Sequence, residues 1–413
     1  MPCNKGLRTV LVIVFTIFLL ASGAVGQTGY KTLHKFTHSN SRKDGLGPVA
    51  GVIFDQSGNL YGTTSGGGND GNGTVFELTP NSDGTWTESV LYIFCSLMDC
   101  IDGAGPWGGV TFDRSGNLYG TTEGGGANGL GTVFELAPSR DGAWTESVLY
   151  SFAGADDGAD PRASITFDQA GNVYGTTHYG GGPNDRGTVF KLAQNGEGGW
   201  TESVLHRFGG GWDGAYPWAV IVDKVGNLYG TTNEGGGDAE GGTVFELTSS
   251  SDGNWRESVL HRFSGGRDGD GPWAGLILDV AGNLYGTTWA GGTHSSGTVF
   301  ELMPNSDGRW TEKVVYPFKG GREGAEPFSG LCLDAARNLY GTTRVGGRGN
   351  YGVVFKLVPN PNGAWQETVL HSFVDHPGAT PFAGVILDAA GNLYGTDPGD
   401  SFTTFGSVFE ITP

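Results

Sequence analysis

The chain has 413 residues, 77 of them glycine, and a formal charge of −19. That balance argues against nucleic acid and anionic lipid as partners, and the lack of a G-X-Y period excludes collagen. Four cysteines are too few for a disulfide scaffold, and no Cys/His spacing calls for zinc or any other cofactor.

Residues 1–26 read as a secretory signal: Lys5 and Arg8 precede an apolar run over 9–20, and Ala24-Val25-Gly26 supply small residues before Gln27. The run is short for a membrane span, and no later segment is apolar enough to make one. Loss of Lys5 and Arg8 takes the charge from −19 to −21, because residues 1–26 hold no Asp or Glu. The expectation is a soluble exported protein, periplasmic, surface-bound or secreted, with 27–413 as one domain.

A tandem repeat fills that domain. The motif GN(L/V)YGTT starts at Gly58, Gly116, Gly171, Gly226 and Gly282, continues as RNLYGTT at Arg337 and GNLYGT at Gly391, and so recurs every 54 to 58 residues. Each unit carries four short strand signals. In the second they are GGVTFD (108–113), NLYGTTE (117–123), TVFELAP (132–138) and WTESVLYSF (144–152), and no segment has a helical period. First, second and third strand types each occur seven times, whereas the fourth occurs six times before the chain stops at Pro413. The missing copy is YKTLHKF, residues 30–36, at the front. The pattern predicts an all-β, seven-bladed β-propeller of four antiparallel strands per blade, closed by this N-terminal strand.

The unit "GNLYGTT…GGG…GTVFELTP" resembles the GloVer-type tandem repeat of bacterial exported and surface proteins, over nearly the whole mature chain. That resemblance implies no established activity. The family has varied C-terminal anchors; here the sequence runs to its last strand with no sorting tail visible, so no anchor is expected. More loosely, D-x-x-G-N-L-Y is similar to the inner hairpin of gluconolactonase-like and streptogramin-lyase-like propellers.

The repeated Asp55-Gln-Ser-Gly58-Asn59 reads as a turn in which the carboxylate takes backbone amides; one carboxylate per blade is poor for calcium. The glycine-rich loops lack the Gly-Lys-Ser/Thr ending of a phosphate-binding loop. The tryptophans opening the fourth strands suit packing at the blade rim. Cys95 and Cys100 are spaced to staple a loop, and Cys332 reads as a buried free thiol.

An acid-Gly-x-x-Pro-aromatic element precedes the first strands: DGAGPW (102–107), DGAYPW (213–218), DGDGPW (268–273) and EGAEPF (323–328). DGLGPV (44–49) and DGADPR (157–162) end differently, and PGATPF (377–382) lacks the acid. Propeller topology puts Trp107, Trp218, Trp273, Phe328 and Phe382 near the channel mouth, with Asp102, Asp157, Asp213 and Asp268 close by. Rings stack on the apolar faces of sugars and carboxylates take hydroxyls, so an oligosaccharide or cell-surface component is the expected partner. Wedging of the same aromatics between adjacent blades, behind a proline-fixed bend, is the reading favoured over ligand contact, since large aromatics usually bury themselves.

His34, His206, His261 and His371 share one fourth-strand position with tyrosine, a structural slot. His178 and His294 lie outside it and are the candidates if the protein is a lyase or hydrolase. A binding or scaffold module, an enzyme, and a structural surface protein without a small ligand all remain open. Oligomeric state is not encoded in any recognisable pattern.

Overall fold

The computed structural model describes residues 29–37, 44–196, 198–374, 380–400 and 404–413. The expected leader lies outside the described residues. Seven four-stranded antiparallel sheets form the blades. Blade 1 comprises Ile53–Phe54, Leu60–Thr64, Thr74–Pro80 and Trp86–Ile93, from the channel outward. Blades 2 to 6 repeat this order, and blade 7 takes Ile386–Leu387, Leu393–Asp397 and Ser407–Thr412 from the C-terminus and Gly29–Lys35 from the N-terminus. Those terminal strands run antiparallel, with Tyr30 opposite Ile411 and Lys31 opposite Glu410. The Phe36 amide continues the ladder to the Gly406 carbonyl at 3.0 Å. Closure by the front strand is therefore as expected.

Helix is confined, among the described residues, to single turns at Met98–Cys100 and Gly321–Glu323. No helix among them is long and apolar enough to cross a membrane.

Alternation along the strands sends side chains to the two neighbouring blades in turn. In the second blade, Leu118, Phe134 and Leu136 pack against Tyr61, Val75 and Phe94 of the first, and Tyr119, Val133 and Phe152 face the third. The hydrophobic core is accordingly split into seven clusters, each lying between two consecutive blades. An edge-to-face phenylalanine pair sits in every one, Phe94 on Phe134 at 5.0 Å being typical. The closing seam has the same pair, Phe36 on Phe76 at 5.2 Å. The glycine of NLYGTT makes room for it: a Cβ on Gly120 would stand 2.6 Å from the Phe134 ring, and the other six copies are as tight.

The first threonine of each YGTT, or of YGT in blade 7, bonds across the seam. Thr63 donates to the Gly108 carbonyl at 2.9 Å, Thr121 to Ala163 at 3.0 Å and Thr287 to Ser329 at 2.9 Å. The last blade closes the circle through Thr396 and the Ala50 carbonyl, 2.8 Å apart and 346 positions apart in sequence. This use of carbonyls explains why the first strands are shorter than the sequence suggests. Only Thr111–Phe112 of the expected 108–113 is laddered, because the residues before it bend toward the channel and bond the preceding blade. Blade 4 is the exception, with Ala215–Val222.

The aspartate turns are as expected: Asp55 Oδ1 accepts from the Ser57 and Asn59 amides at 2.8 and 2.9 Å. Arg337 holds its turn at φ 67°, a left-handed conformation glycine adopts more easily, and its guanidinium reaches back to Asp279 of blade 5 at 2.9 Å. The rim tryptophans pack across the seams, Trp144 lying 6.3 Å from Tyr61. Cys95 and Cys100 are joined by a disulfide that staples the insert of blade 1. Cys332 is free but half-buried rather than buried, since its two-residue strand leaves it near the channel end of the sheet.

The outer-strand glutamates carry a cost. Burial and the neighbouring acid Asp102 push Glu146 up to about 7, and Glu202, Glu312 and Glu367 are raised to the same value mainly by burial. A raised carboxyl is most favourable while protonated, so its contribution is full below the unfolded value near 4.5 and is lost as pH rises through 7. Glu146→Gln should therefore match the parent in unfolding free energy, read from denaturant midpoints, at pH 5 and exceed it at pH 8 by about 1 kcal/mol after discounting for partial exposure. Equal midpoints at both pH values would contradict this. Thr287→Val keeps the shape but orphans the Ser329 carbonyl, and should cost about 1–3 kcal/mol in denaturant unfolding.

Candidate functional site

At one end of the channel the fourth-to-first connection of each blade meets its second-to-third loop. Short antiparallel bridges join them, Ala104 to Gly124, Ala159 to Tyr179 and Asp270 to Ala290 among them. The proline then turns the chain inward, and the next residue faces the axis. Val49, Trp107, Arg162, Trp218, Trp273, Phe328 and Phe382 occupy that position, and all seven line a single mouth of about 620 Å³. Glycines and alanines just ahead of the first strands form its lower wall.

All five sequence-nominated aromatics are thus brought together. None belongs to the seven inter-blade clusters, and each is half-buried. Trp218, Trp273, Phe328 and Phe382 make a continuous arc with successive centroids 5.4, 5.5 and 5.8 Å apart. Trp107 stands apart, with the Arg162 guanidinium 5.7 Å from its ring. The seam threonines hold this ring from behind: Thr176 donates to the carbonyl of Trp218 itself, and Thr231 to that of Ala274, next to Trp273.

The nominated acids do not join them. Asp102 accepts from the Tyr92 hydroxyl and the Ser96 amide, each at 2.8 Å, and Asp157 from Tyr150 at 2.8 Å and the Ala153 amide at 2.9 Å. Asp213 takes the Gly209 amide at 2.8 Å and Asp268 the Ser264 amide at 2.9 Å. Each carboxylate is turned back into its own connection, where it pins the tyrosine or histidine of the fourth-strand slot.

Charge at the mouth comes from residues the sequence did not single out. Arg162 forks to Asp160 at 2.8 Å and approaches Glu123 at 3.6 Å; Arg344 pairs with Glu326 at 2.8 Å and lies 5.5 Å from the Phe328 ring. Burial raises both Glu123 and Asp160, with their mutual repulsion the next cause for Glu123. Asp160, Tyr216 and Glu326 stand immediately before the proline with φ of 59, 56 and 56°, a conformation that is strained for them and easy for the glycines at the equivalent Gly47, Gly105 and Gly271. Glu123, His178, Trp289 and Arg344 share the position after YGTT, whose amide bonds the pre-proline carbonyl, as from Glu123 to Gly105 at 3.0 Å. A signal for all of them was present: when the seven units are aligned on one another, these few positions vary while the blade-forming ones repeat.

The two histidines are far apart in role. His178 is 6% exposed and packs behind the arc, 5.1 Å from Tyr216 and 6.2 Å from Trp218; burial, then the Arg162 charge, lowers it to about 4. His294 is exposed in its loop and bonded through Nδ1 to Thr293 at 2.9 Å. Neither lines the mouth.

Among solved structures, the chain is similar to the extracellular domain of a protein described as a one-component system of B. thetaiotaomicron, at 12% identity and a TM-score of 0.53 over 92% of this chain. It spans only 40% of that protein's length. A surface component of the type-IX secretion system of Porphyromonas gingivalis aligns at 15% identity and a TM-score of 0.45, over 87% of this chain and 47% of the other. A protein described as a glucose dehydrogenase of Thermus thermophilus aligns at 17% identity and a TM-score of 0.45, over 74% and 96%. At such identities the likeness concerns the fold alone. No curated protein matches. The Gloeobacter/Verrucomicrobia repeat profile matches at residues 16–241, 145–308 and 236–413, which together span nearly the whole sequence. The chain belongs to the Gloeobacter/Verrucomicrobia repeat family.

Proposed function

We propose that the protein is an exported binding module and that its mouth takes a carbohydrate. The observation that carries this reading is the aromatic arc: four large rings stay half-exposed around a 620 Å³ hollow instead of completing the seams. Leaving them accessible forgoes hydrophobic stabilisation of about 1.5–3 kcal/mol for each full burial, which argues for a ligand surface. Pyranose faces offer the flat C–H surfaces that such rings cover, and the volume falls within the range of small-ligand sites.

Arg162 and Arg344 supply the polar component. Each is oriented by a carboxylate, so its remaining N–H groups are held ready for hydroxyls or an acidic sugar substituent. The expected leader fits a ligand met outside the cytoplasm, in a glycan or another cell-surface component.

A panel of soluble plant and microbial oligosaccharides, followed through intrinsic tryptophan fluorescence, tests the reading. At least one oligosaccharide should shift the emission, and Trp218→Ala or Trp273→Ala should weaken its binding by about tenfold or more, while His294→Ala leaves it unchanged. A blank panel, or affinities indifferent to both tryptophan substitutions, would reject the mouth as a sugar site.

A further inference from the structure

We propose that the seam closing the ring holds a divalent transition-metal ion of the zinc class between His34, Asp44 and Glu88.

Six seams share one arrangement: the slot residue of a fourth strand, the acid of the following connection, and the glutamate of the next blade's outer strand. Where the slot is tyrosine, its hydroxyl satisfies the acid, as Tyr92 does for Asp102 at 2.8 Å. Where it is His261, Nε2 lies 3.3 Å from Asp268. His206 Nε2 stands 3.5 Å from Asp213 without a hydrogen bond, and at the closing seam the His34–Asp44 pair is wider still. Asp44 Oδ2 is occupied by the Thr37 amide and hydroxyl at 2.8 and 3.0 Å, and Oδ1 is left 3.7 Å from His34 Nε2, beyond hydrogen-bond reach.

His34 Nε2, Asp44 Oδ1 and Glu88 Oε1 are all buried atoms without a hydrogen-bond partner, and the cluster's ligand atoms lie within 4.8 Å of one another. An unpartnered glutamate oxygen recurs in the other five seams of this kind. The coincidence of all three orphaned donors occurs, among the described residues, only where the ring closes. Two carboxylates facing an imidazole in a half-buried place repel one another, and a dication offsets that cost while satisfying all three atoms.

The donor set favours zinc over harder ions. Zinc takes imidazole nitrogen and carboxylate oxygen at about 2.0–2.2 Å, which needs ligand atoms about 3.3 Å apart, a side-chain adjustment of about 1 Å here. Three protein ligands leave one position for water. Calcium wants six or more oxygens and finds two carboxylates. The ligands come from the N-terminal strand, the connection after it and the outer strand of blade 1, so the ion would fasten the front strand to the first blade. No local sequence motif could show it, since His34 and Glu88 are 54 residues apart and the three residues lie in three elements.

Metal analysis after incubation with zinc and exhaustive dialysis tests the proposal. One zinc per chain should remain, and the thermal midpoint should rise by about 2–5 °C over the protein treated with a chelator, with no rise from calcium or magnesium. Glu88→Gln, nearly the same shape, and His34→Gln should abolish both effects, while His371→Gln, at the seam lacking this pair of acids, should not. No retained zinc, or zinc retained equally by Glu88→Gln, would overturn the site and leave His34 as one more structural slot.

Discussion

One contact unit, repeated at every blade boundary, carries this fold: a phenylalanine closing one sheet meets edge-on a phenylalanine of the next, and a threonine hydroxyl bonds the next blade's inner backbone. No blade has a core of its own, because the apolar clusters lie between sheets. An unpartnered blade would expose one whole face. The circle is the arrangement in which none does, and the chain reaches it only by lending its first strand to its last sheet. Phe36 on Phe76 and Thr396 on the Ala50 carbonyl show that the closing boundary is built like the rest.

The repeated hydrogen bond also links stability to the mouth. The carbonyls taken by the seam threonines belong to the inward-facing residues or their immediate neighbours, so the geometry that joins blades also sets the aromatic arc. Variation is concentrated accordingly. Positions that make the seam are nearly identical in all units. Those around the mouth change from valine to tryptophan to arginine, and three of them accept a strained backbone to present a side chain. A symmetric frame thereby displays an asymmetric surface: an aromatic arc on blades 4 to 7, and the Arg162, Asp160 and Glu123 group beside blade 3.

The seam without the acid pair illustrates how locally the design is balanced. The last connection reads PGATPF, without the acid that its six counterparts carry before the glycine. Instead Tyr30 stands where other outer strands carry glutamate, and it stacks on His371 at 4.0 Å. A ring has replaced an acid on one side where an acid is missing on the other.

Blade number and closure were legible because they depend on one-dimensional counting: the fourth strand type is one short at the end and one over at the front. The turn aspartates and the rim tryptophans were legible for the same reason, each being a fixed type at a fixed offset. What stayed hidden depends on depth and direction. Asp102 and its copies are next to the aromatics in sequence, yet their side chains point back into the connection, which no spacing reveals. Arg344 and Glu123 come from a different loop than the aromatics they join, and only the fold brings the two loops together. First strands looked longer than they are because apolar character marks the channel wall as well as the ladder.

Circular closure is the claim on which the mouth, the seams and the metal proposal all depend. Oxidative cross-linking of a protein carrying both Lys31→Cys and Glu410→Cys tests it most directly, since paired Cα atoms of an antiparallel ladder are about 4.5–5.5 Å apart, within disulfide reach. The account predicts rapid, near-complete intramolecular bonding in the folded protein and its loss in denaturant. Folded protein in which these two cysteines stay free would contradict it.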